Sequence, residues 1–145
     1  MIPPFDANGN LPQGNHDATW NEFADRFGTT PHRHRLLEGM KKAIDSLQIA
    51  GCKLVYIGGS FVTSKEIPND FDGCWDMQGV DPLLLDPVLL NFRNGRSAQK
   101  AKYGGELFPA QLSENKSGKI FLEFLAVNKE TGQPKGMVAL NLQKD

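Results

Sequence analysis

The sequence predicts an α/β fold of the α+β kind, with a mixed β-sheet flanked by helices in one domain over residues 1–145. Three observations carry this. Leu36, Leu37, Met40, Ala43, Ile44 and Leu47 recur at helical spacing. Short β-rich runs bounded by glycine or proline, such as KLVYI at 53–57, alternate with such stretches. The length of 145 residues is that of one ordinary domain, which buries roughly two-thirds of its unfolded surface without needing a disulfide or structural metal.

The elements follow in order. Residues 1–15, rich in Pro, Gly and Asn, read as an extended lead-in on the surface. Thr19-x-x-Glu22 has the form of a capping box, and Trp20, Phe23 and Phe27 line one side of a short helix that Gly28 stops. The spacing makes these aromatics core rather than a stacking platform. Thr30-Pro31 is an N-cap followed by proline at the first helical position, opening the best-marked helix, about 31–50, ended by Gly51. Strands are expected at 53–57 and 71–75, with a single helical turn at 60–66 between them. Helices are expected at about 86–93 and 97–103, and a short strand at 106–108. The run KIFLEFLAV at 119–127 fits a buried strand or a buried helix. A turn at 131–134 precedes a closing strand at 137–142.

Composition narrows the function classes. A net charge of −1 gives no global basic field for non-specific nucleic-acid binding. Arg93, Arg96, Lys100 and Lys102 form a local basic stretch, read first as a solvated helix face. Cys52 and Cys74 match no metal-ligand spacing and read as reduced, buried small hydrophobes. The N-terminus lacks the cationic and apolar regions of a secretory signal, and no apolar run reaches the ~20 residues of a membrane span. A cytoplasmic protein with no membrane role is expected. His32 and His34 read as surface residues, because their rings would diverge at a helix start.

One stretch carries chemistry. Gly58-Gly59-Ser60 follows a strand, and Asp70-x-Asp72 enters the next one. Glycine lets a ligand approach the backbone closely, and amides at a helix start suit phosphate. Residues i and i+2 of a strand share a face, which places the two carboxylates roughly 7 Å apart at Cα. Side chains so placed converge on a hard cation such as Mg²⁺, which in turn can hold the phosphates of a nucleoside triphosphate.

Gly59-Ser60 followed by Asp70-x-Asp72 resembles the signature of the DNA polymerase-β-type nucleotidyltransferase superfamily. Further pieces resemble a small bacterial and phage-borne nucleotidyltransferase-like family, often associated with toxin–antitoxin operons. They are Leu11-Pro12-x-Gly14, Ala18-Thr19-Trp20, Arg26-Phe27, Gly59-Ser60-Phe61-Val62-Thr63 with Lys65, Pro68-x-Asp70-x-Asp72, Gly105-Glu106-Leu107-Phe108-Pro109 and Lys135-Gly136. The resemblance implies Mg²⁺ on Asp70 and Asp72, and triphosphate contacts from Gly59 and Ser60. It implies Mg²⁺-dependent transfer of a nucleotide from a nucleoside triphosphate to an RNA or protein acceptor.

Three features depart from the superfamily pattern. The third carboxylate is assigned to Glu106, with Glu123 and Asp76 as alternatives. The spacer after Gly59-Ser60 holds no arginine, and Lys65 stands in as a phosphate contact, a point charge without arginine's fork. A core of this size leaves acceptor recognition to a partner, or to the basic stretch that begins at Arg93. The second reading of the same resemblance is a catalytically weak or inactive module that binds a partner protein, such as a small helix-turn-helix antitoxin.

Overall fold

The computed structural model describes residues 1–128 and 131–143. Among them runs a five-stranded mixed sheet in the order β1-β5-β2-β3-β4. The strands are β1 (Asn15–Ala18), β2 (Leu54–Gly58), β3 (Phe71–Trp75), β4 (Gly105–Pro109) and β5 (Met137–Asn141). β1 runs parallel to β5 and β3 parallel to β4, while β2 pairs antiparallel with both β3 and β5. The helices are α1 (Trp20–Phe27), α2 (Pro31–Ile49), α3 (Arg93–Tyr103) and α4 (Phe121–Leu125). None of the described helices is long and apolar enough to cross a membrane. This is the mixed sheet with flanking helices that the sequence predicts.

α1 begins where expected. Thr19 and Glu22 form the capping box, satisfying two backbone N–H groups that the first turn would otherwise orphan. Phe23 and Phe27 are fully buried and pack on Phe61, with centroids 5.8 and 6.2 Å away. Thr30 caps α2 by accepting from the Arg33 N–H. Leu36, Leu37, Met40, Ala43, Ile44 and Leu47 then bury the stripe against one face of the sheet, where Val55, Ile57, Phe71, Leu107, Val138 and Leu140 complete the main core. The opposite face carries a smaller cluster, in which Cys74, Ala110, Leu125 and Met137 meet Tyr56, Phe108 and Phe121.

Several local expectations are corrected. The lead-in ends in β1, which pairs with β5 from Asn15 to Ala18. NHDA has no β-branched or alternating pattern, so its extended state comes from its partner strand. The turn expected at 60–66 is a 3₁₀ turn over Gly59–Val62 only, since Thr63 leaves the helical region. The helix expected at 86–93 is a 3₁₀ turn, Pro87–Leu90, capped by Asp86. Within α3, Asn94, Gly95 and Arg96 are left-handed, so regular helix covers the expected 97–103. The ambiguous 119–127 run resolves into the short helix α4.

Candidate functional site

Register brings two of the predicted acids together. In the parallel β3–β4 pair Asp72 faces Glu106, and in the antiparallel β2–β3 pair it faces Gly58. Neighbouring strands lie about 4.8 Å apart, so Asp72 and Glu106 stand side by side on one face. That face is the one opposite α1 and α2: the main core takes Phe71 and Leu107, whereas Asp72 and Glu106 are half-buried between them.

Gly59 closes the third side. It has φ +71°, a left-handed conformation that glycine adopts without strain. A Cβ there would lie 3.1 Å from Asp72 Oδ2. The Gly59 backbone therefore lies against the Asp72 carboxylate with no side chain between them. Ser60 continues the 3₁₀ turn, and its carbonyl accepts from the Thr63 N–H at 3.2 Å and the Thr63 hydroxyl at 2.7 Å.

Asp70 differs from expectation in its setting. β3 starts at Phe71, so Asp70 sits on the loop immediately before the strand and not on it. That loop is anchored by His32, whose Nε2 lies 2.5 Å from the Pro68 carbonyl oxygen. His32 is thus a tie between α2 and the loop rather than a plain surface residue.

Glu106 is already engaged. Its side chain is 12% exposed, and its Oε2 accepts from Arg96 Nε at 2.8 Å, with Lys100 Nζ 3.7 Å away. Arg96 also lies over the Phe108 ring at 5.5 Å. Three of the four basic residues are therefore engaged, since Lys102 also pairs with Asp86 at 2.5 Å, where Tyr103 donates to the same carboxylate. Arg96 thus brings a guanidinium from α3 to Glu106, the neighbour of Asp72 in register. Its left-handed backbone, φ 63° in a non-glycine residue, is an observable strain at this place.

The two alternative third acids lie elsewhere. Asp76 falls after β3, where its carboxylate accepts from the Gln78 N–H at 3.0 Å and Gln111 Nε2 at 2.8 Å. Glu123 caps α4 through the Ile120 N–H. Lys65 is found beside other cations. It lines a cavity of about 450 Å³ with Arg26, Thr30 and Arg33, over the start of α2. The cause is Arg33, which is 2% exposed and donates to the carbonyls of Phe27, Phe61, Thr63 and Lys65 at 2.6–3.2 Å. It pins the loop after the 3₁₀ turn against α2. Embedded in HRHR, Arg33 gives no sequence signal of burial; only its place on the apolar side, three residues before Leu36, hints at it.

The donor set has a definite chemistry. Among the described residues no group of three or more His, Cys, Asp or Glu is arranged to hold a metal ion. Asp72 lies against the Gly59 turn, and Asp70 sits on the loop immediately before β3. Carboxylates are the donor type that suits Mg²⁺, which is commonly held by one or two of them and completes its shell with water and substrate phosphate.

The fold and this face define a small mixed-sheet α/β protein in which Asp72 and Glu106 share a sheet face, flanked by the Gly59 turn and by the basic helix α3. The chain belongs to a family described as a family of unknown function, DUF6932, whose model matches residues 3–141. No curated protein and no solved structure matches it.

Proposed function

We propose that this chain is a Mg²⁺-dependent nucleotidyltransferase that moves a nucleotide from a nucleoside triphosphate to an RNA or protein acceptor, in the cytoplasm and within a toxin–antitoxin or phage-defence setting. The observation that supports it most is the Gly59 backbone set against the Asp72 carboxylate, with Glu106 next in register. Asp70 and Asp72 are the metal-holding residues in this reading. Mg²⁺ bound there would neutralise triphosphate charge and stabilise the departing pyrophosphate. Gly59 leaves room for a phosphate oxygen to reach the backbone, and Ser60 offers a hydroxyl beside it. Arg96 exchanges Glu106 for phosphate, supplying the forked donor that a lysine such as Lys65 lacks. An acceptor oxygen forms a bond to the α-phosphorus as the α–β bridging P–O bond breaks, and pyrophosphate leaves with the electron pair.

The test is calorimetric titration of each nucleoside triphosphate with Mg²⁺ into wild type and Asp70→Asn/Asp72→Asn. Metal-dependent binding that disappears in the folded double variant is expected. Equal binding by both proteins refutes the assignment.

One observation favours a second reading. Glu106 is neutralised by Arg96 and Lys100, which leaves the third acid position already occupied. On that reading the module works by binding a partner such as a small helix-turn-helix antitoxin. It predicts no metal-dependent nucleotide binding, together with a stable complex with that partner on gel filtration.

A further inference from the structure

We infer that the cavity between α1, the start of α2 and the loop at 63–66 is a binding site for a phosphate-class anion, separate from the acidic face. The cavity measures about 450 Å³, within the range of small-molecule sites. Arg26, Arg33 and Lys65 line it against a single carboxylate, Glu66. Among the described residues none of the three cations forms an ion pair with a carboxylate. Arg26 is held instead by the Ile2 and Pro3 carbonyls, at 3.3 and 2.9 Å, and lies over the Phe5 ring at 4.5 Å.

Arg33 makes this more than a chance cluster of surface cations. It is a buried guanidinium whose two terminal nitrogens donate to four neutral carbonyl oxygens and which lies over the Phe61 ring at 4.9 Å, so at the cavity wall it acts as a fixed positive charge with no carboxylate beside it. Desolvation lowers its pKa, the expected sign for a buried cation without an anion. Burying such a charge is costly unless an opposite charge comes near. The walls also supply hydroxyls. Thr29 and Ser64 line the cavity, neither hydroxyl being hydrogen-bonded among the described residues, and Thr30 caps α2. The positive end of the nineteen-residue α2 points the same way. Three cations, free hydroxyls and a helix start together select a compact polyanion with several acceptor oxygens, which is phosphate chemistry. The source is either a free phosphate or the phosphate of a nucleotide.

Isothermal titration in EDTA, at constant ionic strength set by chloride, uses orthophosphate, pyrophosphate and adenosine monophosphate as probes. Saturable binding of at least one probe is expected, weakened about tenfold or more in Lys65→Glu. Lys65 is exposed, so the unliganded variant should melt as wild type does; Thr29→Ala/Ser64→Ala gives a second, uncharged disruption. Tighter binding of adenosine monophosphate than of orthophosphate marks a nucleotide as the source, and equal binding marks free phosphate. Asp70→Asn/Asp72→Asn should bind the probes as wild type does, which separates this site from the proposed catalytic one. No saturable binding above the chloride control, or binding unchanged in both disrupted variants, overturns the inference.

Discussion

Replacing Arg33 by methionine keeps an apolar stem and removes every N–H donor from the bridge between α2 and the loop at 61–65. In the native protein the guanidinium serves four carbonyl oxygens, those of Phe27, Phe61, Thr63 and Lys65. Hydrogen bonds from a charged donor are worth about 1.5–3 kcal/mol each, but their sum is not recovered, because burying the unpaired cation costs several kcal/mol. The loss is better counted from what methionine leaves behind. The two bonds that lie fully inside the protein, to Phe27 and Phe61, strand a carbonyl at about 1–3 kcal/mol each, whereas Thr63 and Lys65 can turn to water. The expected destabilisation is about 3–5 kcal/mol, a third or more of the whole for a protein of ordinary stability. At roughly 3–4 °C per kcal/mol this lowers Tm by about 9–20 °C. Arg33→Lys should recover less than half, since one ammonium cannot span four carbonyls. Urea unfolding followed by circular dichroism measures all three proteins. A loss under about 1 kcal/mol in Arg33→Met would refute the reasoning, because the carbonyls would then be satisfied without the guanidinium.

Gly59→Ala should cost about 1–2 kcal/mol for its left-handed backbone, and Gly118→Ala, at φ +74° with nothing near its added Cβ, should cost about the same. Only Gly59→Ala should also weaken Mg²⁺–nucleotide binding, by about tenfold, because its Cβ pushes on Asp72; equal binding by the two variants would detach Asp72 from the site. Burial pushes the Cys52 thiol up to about 11, against weaker lowering by the Leu54 carbonyl bond, and Cys74 to about 12. At pH 8 the thiolate fraction is then about one in a thousand or less, so a disulfide reagent should find no thiol in the native protein and both in denaturant. Both folded values are raised, so the stability they contribute is whole below about pH 8.5 and declines as pH rises toward 11–12. The thermal midpoint should fall above about pH 9, and fast native thiol reaction would contradict the burial.

What could be read from the sequence is what local chemistry decides. The capping box at Thr19, the Thr30-Pro31 helix start and the apolar stripe of α2 act within a turn or two, and each stands where its residues predict. The Gly59–Asp72 contact was also within reach, because one hairpin-like step from β2 to β3 joins the two residues. The misses are non-local. β1 is extended because β5, more than a hundred residues later, pairs with it. Lys65 stands close to Asp70 in sequence, yet the pull of Arg33 on the carbonyls of 63 and 65 turns its loop toward α2. Arg96 looked like part of a solvated helix face and is instead bound to Glu106, because a left-handed turn at Asn94–Arg96 re-aims it. Side-chain destinations of this kind depend on tertiary register, which no window of sequence contains.

Register also decides how the acidic face is charged. A one-residue slip of β4 against β3 would exchange Glu106 for Leu107 on that face and bury a carboxylate in the main core. α3 opposes such a slip. Gln99 is fully buried, and its Oε1 accepts the Leu107 N–H at 2.9 Å, closing the outer edge of β4. The residues flanking that clamp, Arg96 and Lys100, are the ones that meet Glu106. The helix that fixes the edge strand therefore also sets the charge beside Asp72. Without those cations, two carboxylates about 5 Å apart would repel by roughly 3 kcal/mol at an effective dielectric of 20. With them, the carboxylate that stands beside Asp72 in register is itself paired. An anionic ligand arriving at Gly59 would compete with Glu106 for Arg96, and each phosphate contact that Arg96 makes would return negative charge to the face that holds Asp72. The proposed function therefore predicts that nucleotide and divalent cation bind this face cooperatively in a two-ligand calorimetric titration, each offsetting the charge that the other introduces; independent binding would contradict it.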